Sequence, residues 1–219
     1  MKRAVILFSG GLDSSTTLYY AKVKGFKCYC ILFDYGQRHK KELKAAIKLA
    51  KLTKSEYRIV KIKLPWSKSA LTDKSVKVPK NRKTEKMSKK IPVTYVPARN
   101  TIFLSFAASY AESIGASRIF IGANALDYSG YPDCRPNYIK AYEKMINLGT
   151  KGGVEGRKIK IETPLIRMTK AEIIKLGTKL KVPYGMTWSC YSGGKYPCGM
   201  CDSCKLRQMG FKKAGLNYK

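Results

Sequence analysis

Acidic residues are scarce in this chain. Its 219 residues carry 44 Lys and Arg against 14 Asp and Glu, a formal net charge of +30. Such a surplus attracts polyanions, so salt-sensitive adhesion to RNA or DNA is expected. It has two readings: a nucleic-acid partner, or a lysine-rich proteome of the kind found in heat-adapted organisms. Histidine is scarcer still, with His39 the single example. No apolar run approaches the ~20 residues of a membrane-spanning helix. The short apolar run at 4–8 leads into a glycine turn instead of a signal cleavage site, so a cytoplasmic protein with no membrane partner is expected.

Familiar nucleotide motifs are also missing. There is no G-x-x-x-x-G-K-[ST] loop and no G-x-G-x-x-G fingerprint. No Ser-His-Asp or Cys-His signature suggests a protein nucleophile either. What the chain does have is a strand-like run at 4–8, a glycine turn, and the start of a helix. That order converges backbone N–H groups on one point and adds a favourable helix dipole for anions. The candidate nucleotide stretch is Phe8, Ser9, Gly10, Gly11, Leu12, Asp13, Ser14, Ser15, Thr16, Thr17 and Leu18. Gly10 and Gly11 let the backbone approach a phosphate, and Ser9, Ser14, Ser15 and Thr16 offer hydroxyls. Asp13 stands where a carboxylate can hold Mg²⁺ or brace the loop. A plain β-turn-α connection with Ser and Asp caps would read similarly.

Downstream periodicity predicts an α/β protein. Strands are expected at 4–8, 27–33, 56–62, 118–122 and 158–162. Helices are expected at 15–24, 41–51, 100–114, 138–148, 169–180 and 203–214. Strand–helix alternation implies a doubly wound, mostly parallel sheet with right-handed crossovers. In the third helix Ile102, Phe103, Phe106, Ala107, Tyr110 and Ala111 form the expected core stripe. Thr169 to Glu172 reads as a capping box, and 152–156 as a turn. Cys28 and Cys30 share one face of a strand and are read as buried thiols. Residues 1–180 are expected to form a nucleotide-binding α/β domain, and 181–219 a C-terminal region packed on it. Residues 66–92 are polar, basic and aperiodic, and are expected as a flexible loop.

Ligand-capable residues gather where strands of such a sheet end. His39 follows the second strand; a lone histidine is more often a surface or capping residue, but this one sits beside the proposed loop. Arg99 and Asn100 precede the third helix, where they can reach a phosphate or ribose, or where Asn100 simply caps. After the fourth strand come Asn124, Asp127, Tyr128, Ser129, Tyr131, Asp133, Cys134 and Arg135. A carboxylate there can accept the ring N–H and exocyclic amine of a guanine-like base, a tyrosine can stack on it, and Arg135 can pair with a substrate carboxylate.

Seven cysteines are present, four of them bunched as Cys190, Cys198, Cys201 and Cys204. The spacing C-x7-C-x2-C-x2-C suits a closed, structural Zn²⁺ site. Iron–sulfur clusters also accept four thiolates, although the C-P ending of the ferredoxin pattern is missing.

The loop Ser9-Gly10-Gly11-Leu12-Asp13-Ser14 resembles that of the N-type ATP pyrophosphatases, which cleave ATP between the α and β phosphates. Nearly the whole chain resembles the 7-cyano-7-deazaguanine synthase (QueC) family. The matching stretches are 8–14, 33–39, 96–103, Ser129-Gly-Tyr-Pro-Asp-Cys-Arg-Pro136 and the cysteine-rich segment 189–207. Ser15 stands where the family often has Thr, and it keeps the hydroxyl. The resemblance implies a Rossmann-like, adenine nucleotide alpha hydrolase-like fold. It implies ATP-dependent, Mg²⁺-assisted conversion of 7-carboxy-7-deazaguanine and ammonia to an amide and then a nitrile, a precursor of queuosine and archaeosine. It also implies one structural zinc on the four cysteines and a homodimer. Asp13, Arg99 and His39 become candidate catalytic residues, and Asp127, Tyr131, Asp133 and Arg135 candidate substrate residues. A tRNA-thiolating enzyme using Cys134, or a non-catalytic zinc-stabilised RNA-binding module, are the competing readings.

Overall fold

A computed structural model describes residues 1–82, 91–125 and 131–217. The first strand, β1 (Arg3–Leu7), is buried at its last four positions because all four are apolar and both faces are covered. Helix α1 (Leu12–Val23) follows, then β2 (Lys27–Asp34), α2 (Lys41–Leu52) and β3 (Glu56–Lys61). After a long connection come α3 (Arg99–Ser113), β4 (Arg118–Ile121), α4 (Pro136–Gly149), the short α5 (Lys151–Val154) and β5 (Lys160–Glu162). Helices α6 (Lys170–Lys179) and α7 (Asp202–Ala214) complete the order. The turn expected at 152–156 thus begins as a helical turn, capped by the Thr150 hydroxyl.

The five strands run parallel in the order β3-β2-β1-β4-β5. The chain builds outward from β1 through β2 to β3, then crosses back to β4. The crevice at the carboxyl ends of β1 and β4 is the switch point where such sheets take ligands.

Alternation along β1 and β2 divides the core. Val5, Leu7, Tyr29, Ile31 and Phe33 face α3 and α4, whereas Ala4, Ile6, Cys28, Cys30 and Leu32 face α1 and α2. Cys28 and Cys30 do share one buried face. Burial pushes the Cys28 thiol up to about 11 and raises Cys30 further, so both are inert packing groups. The stripe expected on α3 is shifted: Leu104, Ala107, Ala108 and Ala111 are buried, whereas Phe106 is 40% exposed. Small alanines let α3 lie close to the sheet, and Phe106 keeps only an edge-on contact with Phe33 at 5.9 Å.

A third cluster, including Leu12, Leu165, Ile173, Ile174, Tyr184 and Phe211, joins α1 to α6 and α7. It straddles position 180. Thr169 and Glu172 form the expected capping box at the start of α6. In the long connection, residues 83–90 lie outside the described residues. Residues 66–82 are tied down: Arg38 donates to the carbonyls of Ala70, Asp73, Lys74 and Val76, and Lys80 bridges to Cys201. Arg82 pairs with the buried Asp202 at the start of α7. Among the described residues no helix is long and apolar enough to cross a membrane.

Candidate active site

Strand β1 ends at a turn that only glycine can make. Gly10 has φ +78°, and a Cβ there would lie 2.4 Å from the Ala46 amide nitrogen, so the loop sits directly on α2. Across the crevice, a Cβ on Gly122 would lie 3.0 Å from the Ser14 nitrogen, so the end of β4 closes onto the same turn. Helix α1 starts at Leu12, three residues earlier than expected, which makes Asp13 and Ser14 part of its first turn. First-turn amides have no intrahelical acceptor and present a ready anion cradle. No side chain caps them. The hydroxyls of Ser9 and Ser14 meet at 3.0 Å, and Ser14 Oγ donates to Gly11 O, bracing the turn.

The loop opens on a cavity of about 330 Å³. Phe8, Ser9, Gly11, Leu12, Asp13 and Ser14 line it. Gly10 and residues 15–18 of the expected nucleotide stretch do not. Leu18 is fully buried in the core. Thr16 Oγ1 bonds Leu12 O and Tyr184 Oη at 2.9 Å each, and Thr17 Oγ1 donates to Asp13 O. Ser15 Oγ is buried and has no hydrogen-bond partner among the described residues. The helical period explains this: once α1 begins at Leu12, positions 15–18 turn toward the protein interior.

Asp13, His39 and Arg99 are brought together on the cavity wall. Asp13 is ion-paired to Lys170 from the first turn of α6. Arg99 lies over the rings of Tyr35 and Phe103 and donates to Tyr35 Oη at 3.2 Å. His39 has both ring nitrogens engaged. Nδ1 accepts from Lys41 N–H, so Nε2 carries the proton and donates to Cys190 O at 2.8 Å. That arrangement makes His39 a strut between the second strand's loop and the cysteine segment, with no nitrogen left for a substrate proton.

The expected substrate residues separate. Tyr131 lines the cavity, its hydroxyl 2.9 Å from Thr94 Oγ1. Asp133 does not line it: the side chain is buried and accepts the Asn100 backbone N–H at 3.0 Å, so Asp133, and not Asn100, caps α3. Arg135 is exposed away from the cavity, where its extended backbone begins α4. Asp127 lies outside the described residues. Four charged lining residues were not singled out as site residues from the sequence: Arg38, Glu42, Lys170 and Arg207. Arg38 and Arg207 lie within the matching stretches 33–39 and 189–207, whereas Glu42 is signalled only by its proximity to the His39 segment and Lys170 only by the capping box.

The four C-terminal cysteines converge, with ligand atoms all within 4.8 Å of one another. Tetrahedral Zn–S bonds of about 2.3 Å place sulfurs about 3.8 Å apart, so the set can close on one ion. Backbone N–H groups of Ser192 and Cys198 point at Cys190 Sγ, and that of Cys201 at Cys198 Sγ, as thiolates require. Hydrogen bonds from Cys201 and Cys204 hold Cys190 far below the usual thiol range. The cluster packs with Trp188, whose backbone N–H donates to Gly10 O at 3.0 Å. A metal here would therefore stiffen the glycine turn from behind and, through Cys190, border the cavity as well.

Comparison with known proteins agrees with this geometry. The family model described as "Queuosine biosynthesis protein QueC" matches residues 3–215. A 7-cyano-7-deazaguanine synthase of Trichodesmium erythraeum is 59% identical over 98% of this chain and 97% of its own length. One from Thermoplasma volcanium is 57% identical over 98% of this chain and 88% of its own. Among solved structures, a 4-thiouridine synthetase in complex with RNA and ATP aligns with TM-score 0.53 at 16% identity, over 98% of this chain and 50% of that one. That likeness concerns the fold alone. The loop, the parallel sheet and the cysteine cluster thus occur together along a sequence matched end to end, and the chain belongs to the QueC family of queuosine biosynthesis proteins.

Proposed function

We propose that this chain is an ATP-dependent ligase that converts 7-carboxy-7-deazaguanine and ammonia, through an adenylated carboxylate and an amide, to 7-cyano-7-deazaguanine. The observation that carries the reading is the open first turn of α1, flanked by the Asp13–Lys170 pair, facing a cavity walled by aromatic rings and cations.

A carboxylate is a poor acyl donor to ammonia at neutral pH. Transfer of the adenylyl group replaces a bad leaving oxygen with AMP. The first-turn amides and Lys170 would stabilise charge on the phosphates as pyrophosphate departs. Asp13 is the carboxylate that would hold Mg²⁺ with those phosphates. Arg99, fixed over Tyr35 and Phe103, would steady the nucleotide or the substrate carboxylate. Tyr131 is retained for the deazapurine because of its place in the cavity wall. In the same reading the four cysteines hold a structural zinc, and the protein works as a cytoplasmic homodimer.

The test is direct. Purified protein incubated with ATP, Mg²⁺, ammonium and 7-carboxy-7-deazaguanine should yield AMP and the nitrile by mass spectrometry. A folded, metal-loaded protein that forms neither would overturn the reading.

A further inference from the structure

The cavity is built for anions, which raises the question of how it admits the cation ammonium. Its charged lining consists of Arg38, Arg99, Lys170 and Arg207 against Asp13 and Glu42, with His39 neutral as hydrogen-bonded. Asp13 is neutralised by Lys170. The Glu42 carboxylate, in the first turn of α2, makes no hydrogen bond or ion pair with any described residue. It is the one lining carboxylate without a cation on it among the described residues. It also stands beside the nucleotide turn: a Cβ on Gly11 would lie 3.8 Å from Glu42 Oε1, and Glu42 O packs against Gly10.

We propose that Glu42 is the ammonium site of this enzyme and the catalytic base that releases ammonia beside the activated carboxylate. The inference deepens the function proposed above and rests on it. Ammonium binds the Glu42 carboxylate as a counter-ion and gives it one proton. The lone pair so freed attacks the acyl carbon; the C–N bond forms, and the C–O bond to AMP breaks with its electron pair leaving on AMP. The nitrogen then sheds a second proton to solvent, giving the neutral amide. Acyl adenylate and ammonium thus become amide, AMP and two protons.

The surroundings suit a base rather than a permanent anion. Burial raises the Glu42 carboxyl to about 7, Arg99 from α3 works against that rise, and the Cys190 thiolate, one of the four clustered cysteines, adds to it. On its own segment the titratable neighbours are His39, Lys40, Lys41 and Lys44. A base poised near the working pH combines adequate ionisation with adequate proton affinity.

Hydroxylamine separates the possibilities, because it is already a neutral nucleophile at pH 7. Glu42→Gln should lose roughly 100-fold in amide formation from ammonium at pH 7, within the range usual for a general base. It should keep hydroxamate formation from the same acid and ATP. Raising the pH toward 9, where free ammonia accumulates, should restore much of the lost amide rate. Equal loss with both nucleophiles, or no loss with ammonium, would overturn the assignment. If the unaltered protein forms neither hydroxamate nor amide, the proposed function itself fails and the role of Glu42 falls with it.

Discussion

Lys170 Nζ donates to both carboxylate oxygens of Asp13, at 2.8 Å each, joining residues 157 positions apart in sequence. The pair spans the mouth of the glycine turn. Both partners are incompletely buried, with side-chain exposures of 17% for Lys170 and 29% for Asp13. Its role is therefore positional, since a pair of this exposure adds no more than about 1 kcal/mol to stability. On the proposed function, Lys170 would exchange one carboxylate partner for phosphate oxygens when ATP binds.

Lys170→Met should accordingly leave the melting temperature almost unchanged and raise the KM for ATP about tenfold or more, the scale of one charge-assisted contact. Asp13→Ala should abolish ATP consumption while leaving the metal content at the wild-type level. A Lys170→Met protein with an unaltered KM for ATP would remove the lysine from the nucleotide site.

Metal loss should act on the fold first. Cys201 is fully buried, and Trp188 links its cluster to the nucleotide turn. Elemental analysis should find one zinc per chain. Chelation under reducing conditions, or Cys201→Ser, should lower the melting temperature by roughly 10 °C or more, because metal binding energy is folding energy. Iron with acid-labile sulfide in place of zinc would contradict the assignment.

Cys134 lines the cavity but is a poor nucleophile. Burial and the neighbouring Asp133 push its thiol up to about 12, and its sulfur accepts a hydrogen bond from Asn100 Nδ2 at 3.2 Å. Cys134→Ser keeps that acceptor, so nitrile synthesis should stay within about twofold of normal. Abolished synthesis in a folded variant would revive a sulfur-carrying role.

Glu42 should leave a signature in stability as well. Its folded-state carboxyl is raised from 4.5 to about 7, chiefly by burial, so the folded state binds this proton more tightly than the unfolded chain does. Stability from this group is full below about 4.5 and declines as pH climbs through 7. Glu42→Gln should therefore melt higher than the unaltered protein at pH 8, with the gap closing at pH 5. A gap that does not change with pH would show that the carboxyl is not held in a raised state. Such a gain in stability where function is lost is usual for a strained active-site group.

The parts of this protein legible in its sequence are those specified locally. The turn at Gly10, the alternation in β2 and the Thr169–Glu172 capping box each rest on neighbours in the chain, so their residue types announce them. The cysteine cluster is legible for the same reason. Residues that reach the cavity from elsewhere are not. Lys170 sits inside a capping box whose pattern announces only a helix start, and one lysine among many carries no signal of its partner. Arg135 and Asp133 illustrate the converse. Their residue types suit a guanine-like ligand, but the short helical turn at Pro132–Cys134 directs Asp133 to the α3 amides and leaves Arg135 outside. Helical spacing predicts Phe106 in the core, whereas the close approach of α3 buries Leu104 and Ala108 beside the expected Ala107 and Ala111.

The formation of an acyl adenylate is tested most directly by following oxygen. 7-carboxy-7-deazaguanine carrying ¹⁸O in its carboxylate, turned over with ATP, Mg²⁺ and ammonium, should deliver ¹⁸O to the phosphate of AMP, readable by mass spectrometry. Label in inorganic phosphate or in water, with unlabelled AMP, would contradict activation at the α-phosphate.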